Sequence, residues 1–383
     1  LGRNVIVEAF LRWAETAKTG DRAKAANALG RAYLQSSMPT EERAAAEMAM
    51  TYLLDDPSPR VRLSLAEALA HSDAAPRNVI LSLAEDQPEI AGQVIISSPL
   101  FSDVDLVDLA ARGTSVTRIL IASRGSVSRS VSAALAEVGG EEDVLCLLEN
   151  DGAAISRASL KRIAERLGDC CDVRRLLLER EDLPSDARHL LMQRVSEALS
   201  GFNLVQAAIG SQRLRHITRE AGETATVTIA GAVRHEDIPE LVEHLRLSGR
   251  LTPAFLMHAL CSGKVDFFAA TIVSLSGCDE RRVRSILGNG RMHAVRALYE
   301  SAGLPRDISA VFVEATLLWR NASRADAGSV LENVSSRLLQ IFRRKDSVSP
   351  AATELMDMVE KLHIAEQRQS ARSFASLASL AAA

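Results

Sequence analysis

The chain of 383 residues is 47% hydrophobic, 25% charged and only 4% aromatic, which excludes a disordered tail, a collagen-like repeat and a disulfide scaffold. Its 45 basic and 49 acidic side chains leave a net charge of −4 and argue against a dedicated nucleic-acid binder, although the balance shifts along the chain. Residues 1–200 carry 23 basic and 30 acidic side chains, while residues 201–383 carry 22 and 19, so the halves present different surfaces.

Helix formers dominate and strict apolar/polar alternation is nearly absent, so the period to follow is 3.6 residues. Residues 3–18 and 21–36 read as a helical hairpin, an N-terminal cap over residues 1–39. Residues 40–200 then read as a repeat array. Its strongest segment runs from Asp55 to Ala70: Asp56 or Ser58 is placed to cap a helix, a proline takes the first turn, and Val61, Leu65, Ala68 and Leu69 share one face. Arg60, Ser64, Glu67 and His71 form the polar stripe opposite. This D-P…V-R…A…A-L pattern resembles the second helix of a HEAT repeat.

A leucine-then-acid punctuation recurs at Leu53-Leu54-Asp55-Asp56, Leu83-Ala84-Glu85-Asp86, Leu147-Leu148-Glu149 and Leu177-Leu178-Glu179. Each instance ends a short helix, with second helices expected at residues 87–96, 126–138, 154–167 and 184–199. Between Phe101 and Ser123 the register blurs. Stacked helix pairs bury their apolar faces only against neighbours, so the expectation is an α-solenoid whose concave face carries Arg60, Ser64, Glu67, Arg157 and Lys161.

From residue 201 the pattern becomes less regular. The β-branched run Thr224 to Ile229 has strand character, but a single strand lacks a partner, which favours a helix. Leu251 to Gly263 reads as a complete helix with Thr252 as cap, Pro253 in the first turn and Gly263 as terminator. Short helices at residues 266–274, 279–287 and 292–302 complete a second repeat-like region, 201–305. Capping helices occupy 306–369, where Leu355, Val359 and Leu362 form a stripe expected to be covered within the chain, and residues 370–383 are a Ser/Ala-rich tail.

The segments Phe10 to Ala17, Asp55 to Ala70, Asp86 to Ala91, Leu251-Thr252-Pro253, Ala259-Leu260-Cys261 and Phe267-Phe268 carry a likeness over most of residues 1–305. Through them the chain resembles an uncharacterised bacterial family of HEAT-like helical-repeat proteins, a domain of unknown function. The resemblance implies an all-α superhelix and brings no activity or site residues.

Chemical motifs are weak. Gly263-Lys264 lacks the Ser/Thr and the first glycine of a phosphate loop and reads as a helix end; Gly288-Asn289-Gly290 reads as a connection. His235, Glu236, Asp237, Glu243 and His244 gather imidazoles and carboxylates without a metal-ligand spacing, so a solvated helix is favoured. Five cysteines, including the vicinal Cys170-Cys171, fit free thiols in a reducing compartment. The basic clusters Arg281-Arg282-Arg284 and Arg337, Arg343, Arg344, Lys345 lack interleaved aromatics and read as solvated faces. No apolar stretch reaches the ~20 residues of a membrane span, and the first ten residues lack the apolar region of a signal peptide.

The expectation is therefore a non-catalytic, cytoplasmic, monomeric scaffold, without cofactor or metal, that grips a partner helix or peptide in a helical groove. A nucleic-acid or nucleotide-binding repeat protein using the more basic C-terminal half is the alternative.

Overall fold

The computed structural model describes residues 10, 12–35, 38–201, 210–324, 334–343 and 349–381. Among these residues the chain is all-helical; the only β feature is an isolated parallel bridge between Val127 and Ala153. Two compact units form, residues 1–183 and 184–383.

Among the described residues of the first unit, eleven helices follow residues 12–16. They are α1 (Thr19–Gln35), α2 (Thr40–Leu54), α3 (Pro59–Leu69), α4 (Arg77–Ala84), α5 (Pro88–Ser97), α6 (Asp103–Arg112), α7 (Ser115–Ala122), α8 (Arg129–Val138), α9 (Glu141–Glu149), α10 (Arg157–Leu167) and α11 (Cys171–Glu179). Helix starts are set locally. Ser102, Thr114, Ser128 and Ser156 each accept a bond from the backbone N–H three residues on, and prolines open α3 and α5.

Apart from α4 and α6, each helix packs on its neighbour-but-one, giving two layers. Helices α1, α3, α5, α7, α9 and α11 form one; α2 with α4, and α6 with α8 and α10, form the other. Val61, Leu65 and Leu69 are fully buried between them, while Arg60 and Glu67 are exposed and Ser64 is half-buried, as their spacing predicts. The blurred stretch 101–123 holds one full pair, α6 and α7.

An arginine ladder ties successive helices of the first layer together. Arg22 of α1 grips Asp56 at 2.8 and 3.0 Å, and Arg62 of α3 grips Asp86 at 2.6 and 3.0 Å while its other nitrogen donates to the Asp56 carbonyl at 2.5 Å. Arg118 of α7 donates to Asp143 at 2.6 Å and to the Gly113 carbonyl at 2.9 Å; Arg174 of α11 donates to the Gly168 carbonyl at 2.9 Å. All four arginines stand fourth in their helix; Arg22, Arg62 and Arg118 reach both the preceding turn and the start of the next helix of the layer, while Arg174 donates to the preceding turn. Asp56 is thus a ladder acceptor rather than a simple cap: its carboxylate takes Arg22 and the Ser58 N–H.

Other arginines satisfy the orphan carbonyls of helix C-termini. Arg124 donates to the carbonyls of Ile95 and Ser98 at the end of α5, and Arg166 to those of Ala136 and Gly139 at the end of α8.

The second unit starts at Pro184, while the sequence pattern places a boundary at residue 200; α12 (Ser185–Gly201) packs on α13 (Ser211–Ala232) and α14 (Ile238–Leu247) within it. The β-branched run Thr224 to Ile229 lies inside α13, and residues 235–237 form a 3-10 turn. The remaining helices are α15 (Pro253–Cys261), α16 (Val265–Ser276), α17 (Glu280–Asn289), α18 (Met292–Ser301), α19 (Arg306–Arg324), α20 (Val334–Arg343) and α21 (Pro350–Ala381).

Helix α15 is buried almost all round, with Phe255, Leu256, Met257, Ala259, Leu260 and Cys261 inside, and it contacts α13, α16, α19 and α21. Gly263 ends it at φ 72°, the left-handed geometry of a helix terminator, so the Gly-Lys pair is a cap. Behind it Phe268, Tyr299 and Phe312 form an aromatic cluster with centroids 5.6–6.1 Å apart. The α21 stripe is covered within this unit: Ala352, Leu355 and Val359 are buried and the helix packs on α15, α19 and α20.

Candidate functional site

A cleft of about 890 Å³ in the second unit lies along α12 and α13 and is bordered by Ser248, Gly249, Arg250, Thr252 and Phe255. Helix α12 contributes His189, Met192, Gln193, Ser196, Glu197 and Ser200, a face at i, i+3, i+4, i+7, i+8 and i+11. Helix α13 contributes Arg215, Thr218, Arg219, Gly222, Glu223 and Thr226 at the same spacing. Two helices that pack together would ordinarily align apolar stripes here. These two helices pack together yet align mostly polar groups, which line a cleft.

One polar group of this lining is buried deeply. His189 is 2% exposed, and its Nδ1 lies 3.0 Å from Nε2 of His244 on α14, the rings meeting edge to face. One ring must donate and the other accept, so the pair is stable with a neutral acceptor. Burial, followed by the positive fields of His244 and Arg250, lowers the His189 pKa from 6.5 to about 4.

A pH dependence follows. Between 6.5 and about 4 the unfolded chain takes up a proton that native His189 refuses, so stability is full above that window, falls as pH falls through it, and levels off below. At ~1.4 kcal/mol per pKa unit the loss from this group is on the order of 3 kcal/mol. His258, also lowered to about 4 by burial, acts in the same direction. Urea midpoints measured from about pH 7 to about pH 4.5 should fall more steeply for the natural chain than for His189→Phe. Parallel slopes would remove His189 from the account.

The sequence singled out His244 but set it beside His235, which lies in the 3-10 turn; its partner is His189, 55 positions away. The five residues of the expected groove do not share a surface. Arg60, Ser64 and Glu67 are on α3 in the first layer, whereas Arg157 and Lys161 are on α10 in the other, because the layers alternate helix by helix and the two helices are an odd number of steps apart.

Cys171 is exposed at the start of α11, and Cys261 is buried, its thiol pushed up to about 12 by burial and then by Glu366. The basic clusters are partly neutralised: Arg284 donates to Asp266 and Glu280 at 2.8 Å, and Arg343 to Glu360 at 2.5 Å. Arg344 and Lys345 lie outside the described residues. Among the described residues no group of three His, Cys, Asp or Glu side chains is arranged to hold a metal ion, and no helix is long and apolar enough to cross a membrane.

The sequence profile of a family described as "Uncharacterised protein conserved in bacteria (DUF2336)" matches residues 90–369. No curated protein and no solved structure matches the chain.

Proposed function

For a chain that belongs to the uncharacterised bacterial family DUF2336, we propose a non-catalytic, cytoplasmic interaction scaffold of HEAT-like architecture that holds a partner helix or peptide against its first unit. The observation that carries this reading is the outer face of the first layer. Successive stacked helices expose Arg60 and Glu67 on α3, Gln93 and Ile96 on α5, and Val116 on α7. Isolated apolar side chains among charges of both signs suit a protein partner better than a polyanion. The ladder arginines, by contrast, are turned to the neighbouring helices and leave the outer face to other residues.

The test is a paired capture from native lysate using the natural chain and an Ile96→Glu/Val116→Glu variant, with far-UV circular dichroism to confirm that both fold. A partner retained by the first and lost by the second supports the reading. Identical capture profiles would sink it.

A further inference from the structure

A second cavity of the second unit, about 280 Å³, is walled by α15, α16, α17 and α19. Its carbon surface comes from Leu260, Val265, Phe268, Ala269, Leu287 and Trp319. Packed interiors leave few voids larger than a water molecule, and an apolar cavity of about 150 Å³ is enough to take up benzene. This one has room for a second ring.

Burial gives the cavity a direction. Leu260, Phe268, Ala269 and Thr316 are buried and mark its floor, whereas Gly288 and Asn289 are exposed and mark its mouth. Val265, Trp319 and the two arginines of the lining, Arg284 and Arg320, are half-buried between them.

The polar groups decide what can enter. Arg320 directs Nε, Nη1 and Nη2 to the carbonyls of Leu287, Gly290 and Ile286 at the end of α17, and Arg284 donates to Asp266 and Glu280 at 2.8 Å. Both guanidinium groups are therefore engaged by the chain itself. At the floor, the Thr316 hydroxyl donates to the Phe312 carbonyl at 2.8 Å, so its oxygen is the acceptor for Tyr299 Oη at 2.6 Å.

An ionised group carried to this floor would exchange water for carbon walls and meet arginines already bonded elsewhere, a cost that an uncharged ring does not bear. Phe268 and Trp319 add aromatic surface, which favours a ring over an open chain. We propose that this cavity binds an uncharged aromatic molecule of one or two fused rings, admitted past Gly288 and Asn289 and held against Phe268, Ala269 and Trp319. The site is independent of the scaffold reading, since every residue concerned lies in the second unit.

The test is a fluorescence titration of the full chain carrying Trp13→Phe, which leaves Trp319 as its one tryptophan, with indane and with an indane carboxylate. Indane should change the Trp319 emission saturably and raise the thermal midpoint, as a ligand of the native state must. The carboxylate, of the same ring system, should bind at least roughly tenfold more weakly. Ala269→Met, which extends a floor side chain into the space, should abolish the response to indane with helicity preserved. Should that buried position reject the longer side chain, Val265→Phe at the half-buried first residue of α16 occupies the cavity from its side. Indane without effect on emission or midpoint, carboxylate binding as tight as that of indane, or undiminished indane binding to a folded Ala269→Met or Val265→Phe chain would each overturn the proposal.

Discussion

Replacing Asp143 by alanine should lower the stability of the first unit by about 3–5 kcal/mol, the range found when one member of a buried ion pair is removed. Asp143 is fully buried at the start of α9 and takes three hydrogen bonds, one from each of three residues. Ser115 and Arg118 donate from α7, and the Gly140 N–H at 2.9 Å ties the carboxylate to its own helix start. Burial pushes the carboxyl up, but the bonds from Ser115, Arg118 and Gly140 outweigh it and hold the group below its ordinary value of 3.8. Its contribution is therefore present above that value and fades as pH falls below it.

Alanine leaves Arg118, itself only 18% exposed, beside a void without its carboxylate. The double variant Asp143→Ala/Arg118→Ala should be less destabilised than the sum of the single changes, because the orphaned charge is gone. Hydrogen exchange over residues 115–149 reads the effect locally. A loss below about 1 kcal/mol, the level of an exposed pair, would show that the ladder is superficial.

A comparable effect belongs to the second unit. Phe312→Ala should cost about 3–5 kcal/mol, since the ring is fully buried and stacks on Phe268 at 6.0 Å while tilting against Tyr299 at 5.6 Å. The cluster also positions a polar pair: Tyr299 Oη lies 2.6 Å from Thr316 Oγ1, whose hydroxyl bonds back to the Phe312 carbonyl at 2.8 Å. Removing the ring opens a cavity under that bond. Trp319, on the same helix, reports the transition by fluorescence once Trp13, the other tryptophan, is changed to Phe. An unchanged midpoint would mean that the cluster is not central to this core.

How much of this was legible follows from the range of each signal. Helix punctuation is local: Thr252, Pro253 and Gly263 mark α15 from within a dozen residues, and the structure places that helix at 253–261. Layer assignment is not local. The leucine-then-acid marks at Leu53 and Leu83 close α2 and α4, but those at Leu147 and Leu177 close α9 and α11, in the opposite layer. Only the compact pair hidden in 101–123 reveals the inversion, and its short helices carry no such mark. The shared mark groups Arg60 with Arg157 in sequence, although their helices lie in different layers.

The cleft was obscured for a related reason. Its histidines are 55 positions apart, and no periodicity within one helix announces a tertiary pair. A usable signal lay in α13, where Arg215, Thr218, Arg219, Gly222 and Glu223 keep helical spacing on a face that has no apolar stripe. The β-branched run Thr224 to Ile229 overlaps that longer pattern and masks it with strand character.

The ladder carries an evolutionary consequence. The α3 segment brings both halves of its linkage, an acceptor at its entrance in Asp56 and a donor four places into its helix in Arg62. It therefore joins head to tail, like a monomer in a polymer. A gene duplication that inserted another copy beside it would find a donor behind and an acceptor ahead, and a deletion would bring Arg22 face to face with Asp86. Array length in such a lineage can change by whole segments without stranding a charge, so related chains of different repeat number should preserve the fourth-place arginine and the entrance aspartate as a matched set.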